Sequence, residues 1–224
     1  MTALPERLVT EFRTRGAVGF LRFLATRIVQ RRADLLFDID LRGLAAAPPF
    51  APPFAPLAPL ATAVLVWRHN LGSEATRAVE QSVLTAANHA YREVLAGDDM
   101  LLAATDAQGQ VTSYAFVLFA SFYKRVLGEA QTTPMISNCY TDPAWRGQGI
   151  YPQLLVTTCL HLANQGHARA IITCAPDNLA SVRGIEKAGF RRVRTLHSLV
   201  VLARWIAWQR SVPARAKAAP CGAS

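Results

Sequence analysis

Between Leu44 and Trp67 the chain carries no charged residue, and six prolines (Pro48, Pro49, Pro52, Pro53, Pro56 and Pro59) fall within twelve positions of it. An uncharged stretch of this length approaches the ~20 residues of a membrane-spanning helix. Proline, however, lacks an amide hydrogen and clashes with the preceding helical turn, so this density of it leaves too many carbonyls unsatisfied for a helix in lipid. The sequence predicts instead an extended, polyproline-type linker over 48–60. It divides a helical and strand-forming extension over 1–47 from the longer segment 61–205, which has room for a complete domain. A small, basic tail over 206–224 is expected to be disordered.

Composition narrows the class. Apolar residues are 51% of the chain and charged residues 17%, which excludes wholesale disorder. Lys and Arg outnumber Asp and Glu by 24 to 15, and from Arg183 onward nine basic residues face one acid, Glu186. Such an end serves nucleic acid, an anionic membrane or a phosphorylated ligand. No basic stripe interleaved with aromatics is present, so nucleic acid ranks last. The four cysteines, Cys139, Cys159, Cys174 and Cys221, are spaced by 20, 15 and 47 positions, unlike a zinc site or a redox dithiol, and no metal is expected. Arginines punctuate the first thirty residues where a secretory leader would be apolar, which predicts a cytoplasmic chain with reduced thiols.

Periodicity gives the element order. Residues 5–32 read as helix, with Phe20, Phe23, Leu24 and Ile28 at spacings of three and four. Phe37, Ile39 and Leu41 alternate with Asp38 and Asp40, a strand whose acids face solvent. Strands follow at 62–68, 100–106, 110–119, 135–141, 168–174 and 191–204, with a hairpin turn at Ala107-Gln108-Gly109. Helices are expected over 73–95, 151–164 and from Asn178 to Gly189. This is a mixed α/β layer order.

The chemistry is concentrated at the end of the 135–141 strand. Asp142-Pro143-Ala144-Trp145-Arg146-Gly147-Gln148-Gly149-Ile150-Tyr151 places two glycines just before a helix. Glycines let the backbone approach a ligand, and the helix N-terminus turns several N–H groups and about half a positive charge toward it, which suits a phosphate. Together with Asn178 and Glu186-Lys187-Ala188-Gly189-Phe190 on the next helix, this stretch resembles the GNAT superfamily of acyl-CoA-dependent N-acyltransferases. The similarity spans roughly 62–204 and is sharpest over 135–190. The family loop reads Arg/Gln-x-x-Gly-x-Gly/Ala, and Tyr151 replaces its final small residue.

The resemblance implies a mixed, mostly antiparallel sheet whose central strands, 135–141 and 168–174, splay apart, with flanking helices. It implies acetyl-CoA as cosubstrate, held by Cys139, Tyr140, Thr141, Arg146, Gly147, Gln148, Gly149, Ile150, Tyr151, Asn178 and Ser181. Backbone N–H groups of Cys139 and Tyr140 would steady the oxyanion, and no metal is implied. Many family members carry an acidic tyrosine seven residues after the motif asparagine; here that position is Ile185, which has no proton to give. Tyr151 is the candidate acid in its place, and Cys139 a lesser one. No Glu base stands in 135–141, and His69, Glu80 and Tyr91 read as surface or packing residues on the acceptor side.

The expected activity is acetyl transfer to a primary amine of a small-molecule or amino-sugar-type acceptor by direct attack. Two alternatives stand beside it: a degenerate acyl-CoA-binding module without turnover, and a longer-chain acyltransferase contacting a membrane through the arginine-rich N-terminus. A homodimer is compatible with all three.

Overall fold

The computed structural model describes residues 29–44, 62–67, 69–84, 99–201 and 205–214. The helical reading of 5–28, the proline linker, the 85–95 end of the helix expected over 73–95 with Tyr91, Cys221 and the tail beyond 214 lie outside the described residues. The chain divides into two compact units, one of residues 35–193 and one of residues 1–34 with 194–224.

The larger unit holds residues 35–40 of β1 (Val29–Asp40), with β2 (Thr62–Trp67), β3 (Met100–Thr105), β4 (Val111–Leu118), β5 (Met135–Thr141) and β6 (Arg169–Cys174). They hydrogen-bond in the order β2-β3-β4-β5-β6-β1, antiparallel throughout except between β5 and β6. The β3–β4 turn closes because the Asp106 carboxylate accepts from the amides of Gln108 (2.9 Å) and Gln110 (2.8 Å), while Gly109 takes a φ of 77°. Among the described residues four α-helices accompany the sheet: α1 (Glu74–Val79), which runs into a π-turn at Glu80–Leu84, α2 (Phe122–Val126), α3 (Ile150–Asn164) and α4 (Leu179–Lys187).

Both faces of the sheet are covered, which explains why all six residues of β3 are buried rather than alternating. On one face Met100, Leu102, Ala115, Val117, Ile136 and Ile172 pack against Leu154, Leu155, Cys159 and Leu162 of α3 and Ile185 of α4. On the other, Val66, Leu101, Ala103 and Phe116 meet Val79 of α1 and Val83 of the π-turn. Each such large side chain removed from water contributes about 1.5–3 kcal/mol.

Several segments depart from the sequence expectations. Residues 29–32, read as the end of a helix, begin β1, and residues 35–40 pair with β6 from Leu35↔Cys174 to Asp40↔Arg169. Part of the presumed extension is thus a strand of the main sheet, because Leu35, Leu36 and Phe37 are buried consecutively and need cover on both faces. Asp38 is not merely solvated: its Oδ2 accepts from Arg169 Nε at 3.0 Å. Within its described part the helix expected from Ser73 is α-helical over 74–79 and then passes into the π-turn.

The smaller unit contains the start of β1 and an antiparallel ladder between β7 (Arg191–Val201) and β8 (Trp205–Pro213), in register from Arg194↔Pro213 to Val201↔Trp205. Residues 206–213, assigned from sequence to a disordered tail, are therefore strand. Their amides and carbonyls find partners on β7, a pairing that composition does not advertise.

Candidate active site

The parallel ladder between β5 and β6 holds only two residue pairs, Met135↔Ile171 and Ile136↔Ile172. Both strands continue, β5 to Thr141 and β6 to Cys174, so backbone groups of β5 beyond Ile136 lie beside a gap rather than a neighbour. A bulge on the other side of β5 adjusts their direction. Tyr114 pairs with Tyr140 and Phe116 with Ser137, leaving Ala115 opposite both Asn138 and Cys139. Asn138 absorbs the extra residue with a φ of 48°, a left-handed conformation that asparagine tolerates better than most side chains.

The gap opens into a cleft of about 600 Å³ floored by the glycine turn. Asp142 starts that turn, its carboxylate accepting from Ala144 N at 2.9 Å, and Arg146 Nε closes back on the Thr141 carbonyl at 3.0 Å. Gly147 and Gly149 take φ values of 79° and 78°, which a side chain would strain, and Gly149 caps α3. The first amides of a helix have no intrahelical acceptor, so those of Ile150 and Tyr151 face the cleft mouth with the positive end of the helix dipole. Pro152, lacking a donor, sits harmlessly in the first turn. Arg146, Arg183 and Lys187 add cationic lining.

Ten of the eleven residues expected to hold acyl-CoA line this cleft: Cys139, Tyr140, Thr141, Arg146, Gly147, Gly149, Ile150, Tyr151, Asn178 and Ser181. Gln148 does not; its Nε2 donates to the Ala144 carbonyl at 3.2 Å and braces the turn. Asn178 caps α4, its Oδ1 accepting from Ser181 N at 3.2 Å. Of the two expected oxyanion donors, Tyr140 is turned elsewhere. Its carbonyl accepts from Ser113 Oγ at 2.7 Å on β4, and successive peptide groups of a strand alternate sides, so Cys139 and Thr141 are the ones presented to the gap.

Tyr151 is the most constrained side chain here. Its hydroxyl is hydrogen-bonded to the Cys139 thiol and to Ser181, and burial, followed by the neighbouring Cys139, raises its pKa, so the phenol stays protonated. Burial likewise pushes the Cys139 thiol up to about 12, against a smaller lowering by the Tyr151 hydrogen bond, which excludes a resting thiolate. Ile185 is fully buried in the core and does not face the cleft. Of the acceptor-side residues, His69 is exposed. Glu80 is 5% exposed, and its Oε1 accepts from Gly72 N at 2.6 Å and Thr76 Oγ1 at 2.7 Å, holding the start of α1.

Sequence reasoning missed Trp145, Gly184 and Lys187 as lining residues. Gly184 carries the clearest signal in retrospect: a glycine inside a helix costs about 1 kcal/mol relative to alanine and needs a reason. Here the reason is Tyr151, whose ring occupies the space a β-carbon would take.

Residues 100–190 match the model of the acetyltransferase (GNAT) family. No curated protein matches the chain. Among solved structures, the fold is similar to that of a Drosophila protein at 10% identity, covering 85% of this chain and 57% of that one with a TM-score of 0.50. A putative GNAT-family acetyltransferase from Novosphingobium aromaticivorans is 16% identical, with 76% and 65% covered and a TM-score of 0.47. A tandem GNAT protein from the clavulanic acid biosynthesis pathway is 17% identical, with 88% and 58% covered and a TM-score of 0.47. The chain spans between 57% and 65% of the length of these three structures. The family match over residues 100–190 falls on the parted strands, the glycine turn and the two helices that flank them.

Proposed function

We propose that the chain transfers an acetyl group from acetyl-CoA to a primary amine of a small molecule by direct attack. The observation that carries this reading is the ending of the β5–β6 ladder at Ile136↔Ile172, above a glycine turn at a helix N-terminus. A pantetheine arm is itself a chain of amides, and it would pair with the β5 backbone at Cys139 and Thr141 as an added strand does. The pyrophosphate would rest on the amides of Gly147 to Tyr151, with Arg146, Arg183 and Lys187 near the remaining negative charge.

In the transfer, the Cys139 amide would steady the carbonyl oxygen; one such donor is worth about 3 kcal/mol in favourable sites. Holding both reactants in one cleft supplies much of the rest. Tyr151 would donate a hydrogen bond to the departing sulfur. Its raised pKa lies above the thiol range, so it steadies that sulfur, while the proton finally gained by the thiol derives from the amine that has reacted. Ser181 orients the phenol. The protonated Cys139 argues for direct attack rather than an acyl-enzyme.

The test is calorimetric binding of acetyl-CoA together with thiol release across an amine panel. Gly149→Glu places a carboxylate and a strained side chain at the anion site, and should weaken acetyl-CoA binding by at least ~30-fold with the far-ultraviolet dichroism unchanged. Normal binding by that variant would overturn the assignment of the phosphate cradle. The burial of Ile185 favours a second reading, an acyl-CoA-binding module; binding without thiol release from any amine would establish it.

A further inference from the structure

We propose that the ring of Tyr140, backed by Tyr114, is the acceptor platform of this site and takes an aromatic amine; the inference rests on the transfer reading above. Tyr114 and Tyr140 are direct partners across the β4–β5 ladder, and their rings stack with centroids 5.4 Å apart at 28°. Tyr114 is itself fixed by an edge contact to Phe116, 5.8 Å between centroids at 88°, and Phe116 is fully buried. The pair is thereby held rigidly on the sheet. Tyr140 nonetheless remains 42% exposed, one of three large hydrophobic side chains so exposed among the described residues. An aromatic ring with one face backed by a partner and the other open to solvent suits a flat apolar ligand, since offset stacking adds to plain burial.

Its position relates this surface to the chemistry. Tyr140 borders the acyl-CoA cleft and directly follows Cys139. Side chains alternate along a strand, so the Tyr140 ring and the Cys139 thiol leave β5 on opposite faces: Cys139 packs with the α3 cluster, whereas Tyr114 packs with Val66, Leu101 and Phe116. A ligand on the Tyr140 ring would thus approach the thioester from the face that acyl-CoA and α3 leave open.

The nitrogen chemistry points the same way. An alkylamine with a pKa like that of lysine, about 10.4, is almost wholly protonated at neutral pH and needs a base before it attacks. The described residues lining the cleft offer hydroxyls, a thiol, an amide and the cations of Arg146, Arg183 and Lys187. An arylamine needs no such base, because delocalisation of its lone pair into the ring keeps it neutral near pH 7. The step is balanced without a further reactant. The nitrogen pair forms the C–N bond, the C–S bond breaks with its electrons on sulfur, and one N–H proton passes to the thiolate, giving the anilide and free CoA thiol.

Aniline and cyclohexylamine have similar size and differ in these two properties, so they are the probes. Thiol release from acetyl-CoA should show kcat/KM at least ~10-fold higher for aniline, and Tyr140→Ala should abolish that ratio while Tyr140→Phe keeps it. In parallel, calorimetry should detect aniline binding to the full chain saturated with an unreactive thioether analogue of acetyl-CoA, weakened about tenfold by Tyr140→Ala. Equal kcat/KM for the two amines, or a ratio untouched by Tyr140→Ala, overturns the platform while the transferase reading stands. Tyr140-dependent aniline binding with no thiol release from either amine upholds the platform and overturns the transferase reading. Neither binding nor release overturns both.

Discussion

The ring of Tyr151 lies directly over Cα of Gly184: a β-carbon there would fall 2.7 Å from Cε1 and closer still to Cδ1. One helix thus supplies a notch and the other the side chain that fills it, with the phenol delivered to Cys139 and Ser181 at its far end. The hydroxyl that Ile185 cannot provide from α4 enters the cleft from α3.

Gly184→Ala tests that fit. Alanine should help an isolated helix by about 1 kcal/mol, yet here it must displace Tyr151. We expect kcat to fall by at least ~10-fold with little change in melting temperature; an active variant with Tyr151 in place would show that the notch has slack.

Tyr151→Phe keeps the packed ring and deletes the hydrogen-bond donor. Donors and acids of this kind contribute roughly 10²-fold or more, so kcat should drop by about that amount with the KM for acetyl-CoA changed less than ~3-fold. A drop confined to KM would make Tyr151 a binding residue only.

The thiol of Cys139 is held near 12 by burial, so only a minute fraction ionises at pH 8. Intact-protein mass spectrometry after incubation with acetyl-CoA alone should therefore find no acetylated Cys139. Cys139→Ala, which keeps the backbone amide, should retain turnover within about fivefold. A stable acetyl adduct at Cys139 would replace direct attack by a two-step route.

Lys124 is a buried cation with a structural task. Its Nζ donates to the carbonyls of Phe119 and Gln131 at 2.5 Å and of Thr133 at 2.8 Å, tying both ends of the 119–133 loop together. Lys124→Met leaves three part-buried acceptors without this donor and should cost about 1–3 kcal/mol in urea unfolding. Desolvation lowers the Lys124 pKa against a smaller opposing pull from Asp99. A depressed lysine binds fewer protons folded than unfolded, so its own contribution makes stability rise with pH between its folded pKa and about 10.4. The variant should lose that rise; an unchanged alkaline slope would assign it to other groups.

At the surface, Arg42 holds Asp40 near 2, through a side-chain hydrogen bond first and its backbone amide second. A carboxylate so depressed contributes in the native state above its ordinary pKa near 3.8, and the contribution is lost as pH falls toward 2. Carbon-detected NMR should find the Asp40 midpoint near 2, moving upward in Arg42→Ala.

Much of this site was readable from the residues because its signals are local. Pro134 and Asp142-Pro143 bracket a β-forming run, and β5 is Met135–Thr141 as expected. The glycine turn and its helix follow within ten residues. What escaped were relations between distant residues. Val29 to Arg32 follow directly on the three-and-four spacing that ends at Ile28, yet they belong to β1, whose partner lies some 135 positions later. The reason for a glycine at 184 is not local, because the ring that needs it is 33 residues upstream. β8 carries arginine, serine and proline suited to a tail, and only its register with β7 makes it a strand.

The antiparallel pairing of residues 35–40 with 169–174 makes chain order matter for assembly. During synthesis β1 emerges early and must wait until well over a hundred further residues have been made, a long loop to close and a slow contact to form. A protein trimmed at the proline run would leave β6 with a raw hydrogen-bonding edge, and it should precipitate by recruiting strands from other molecules.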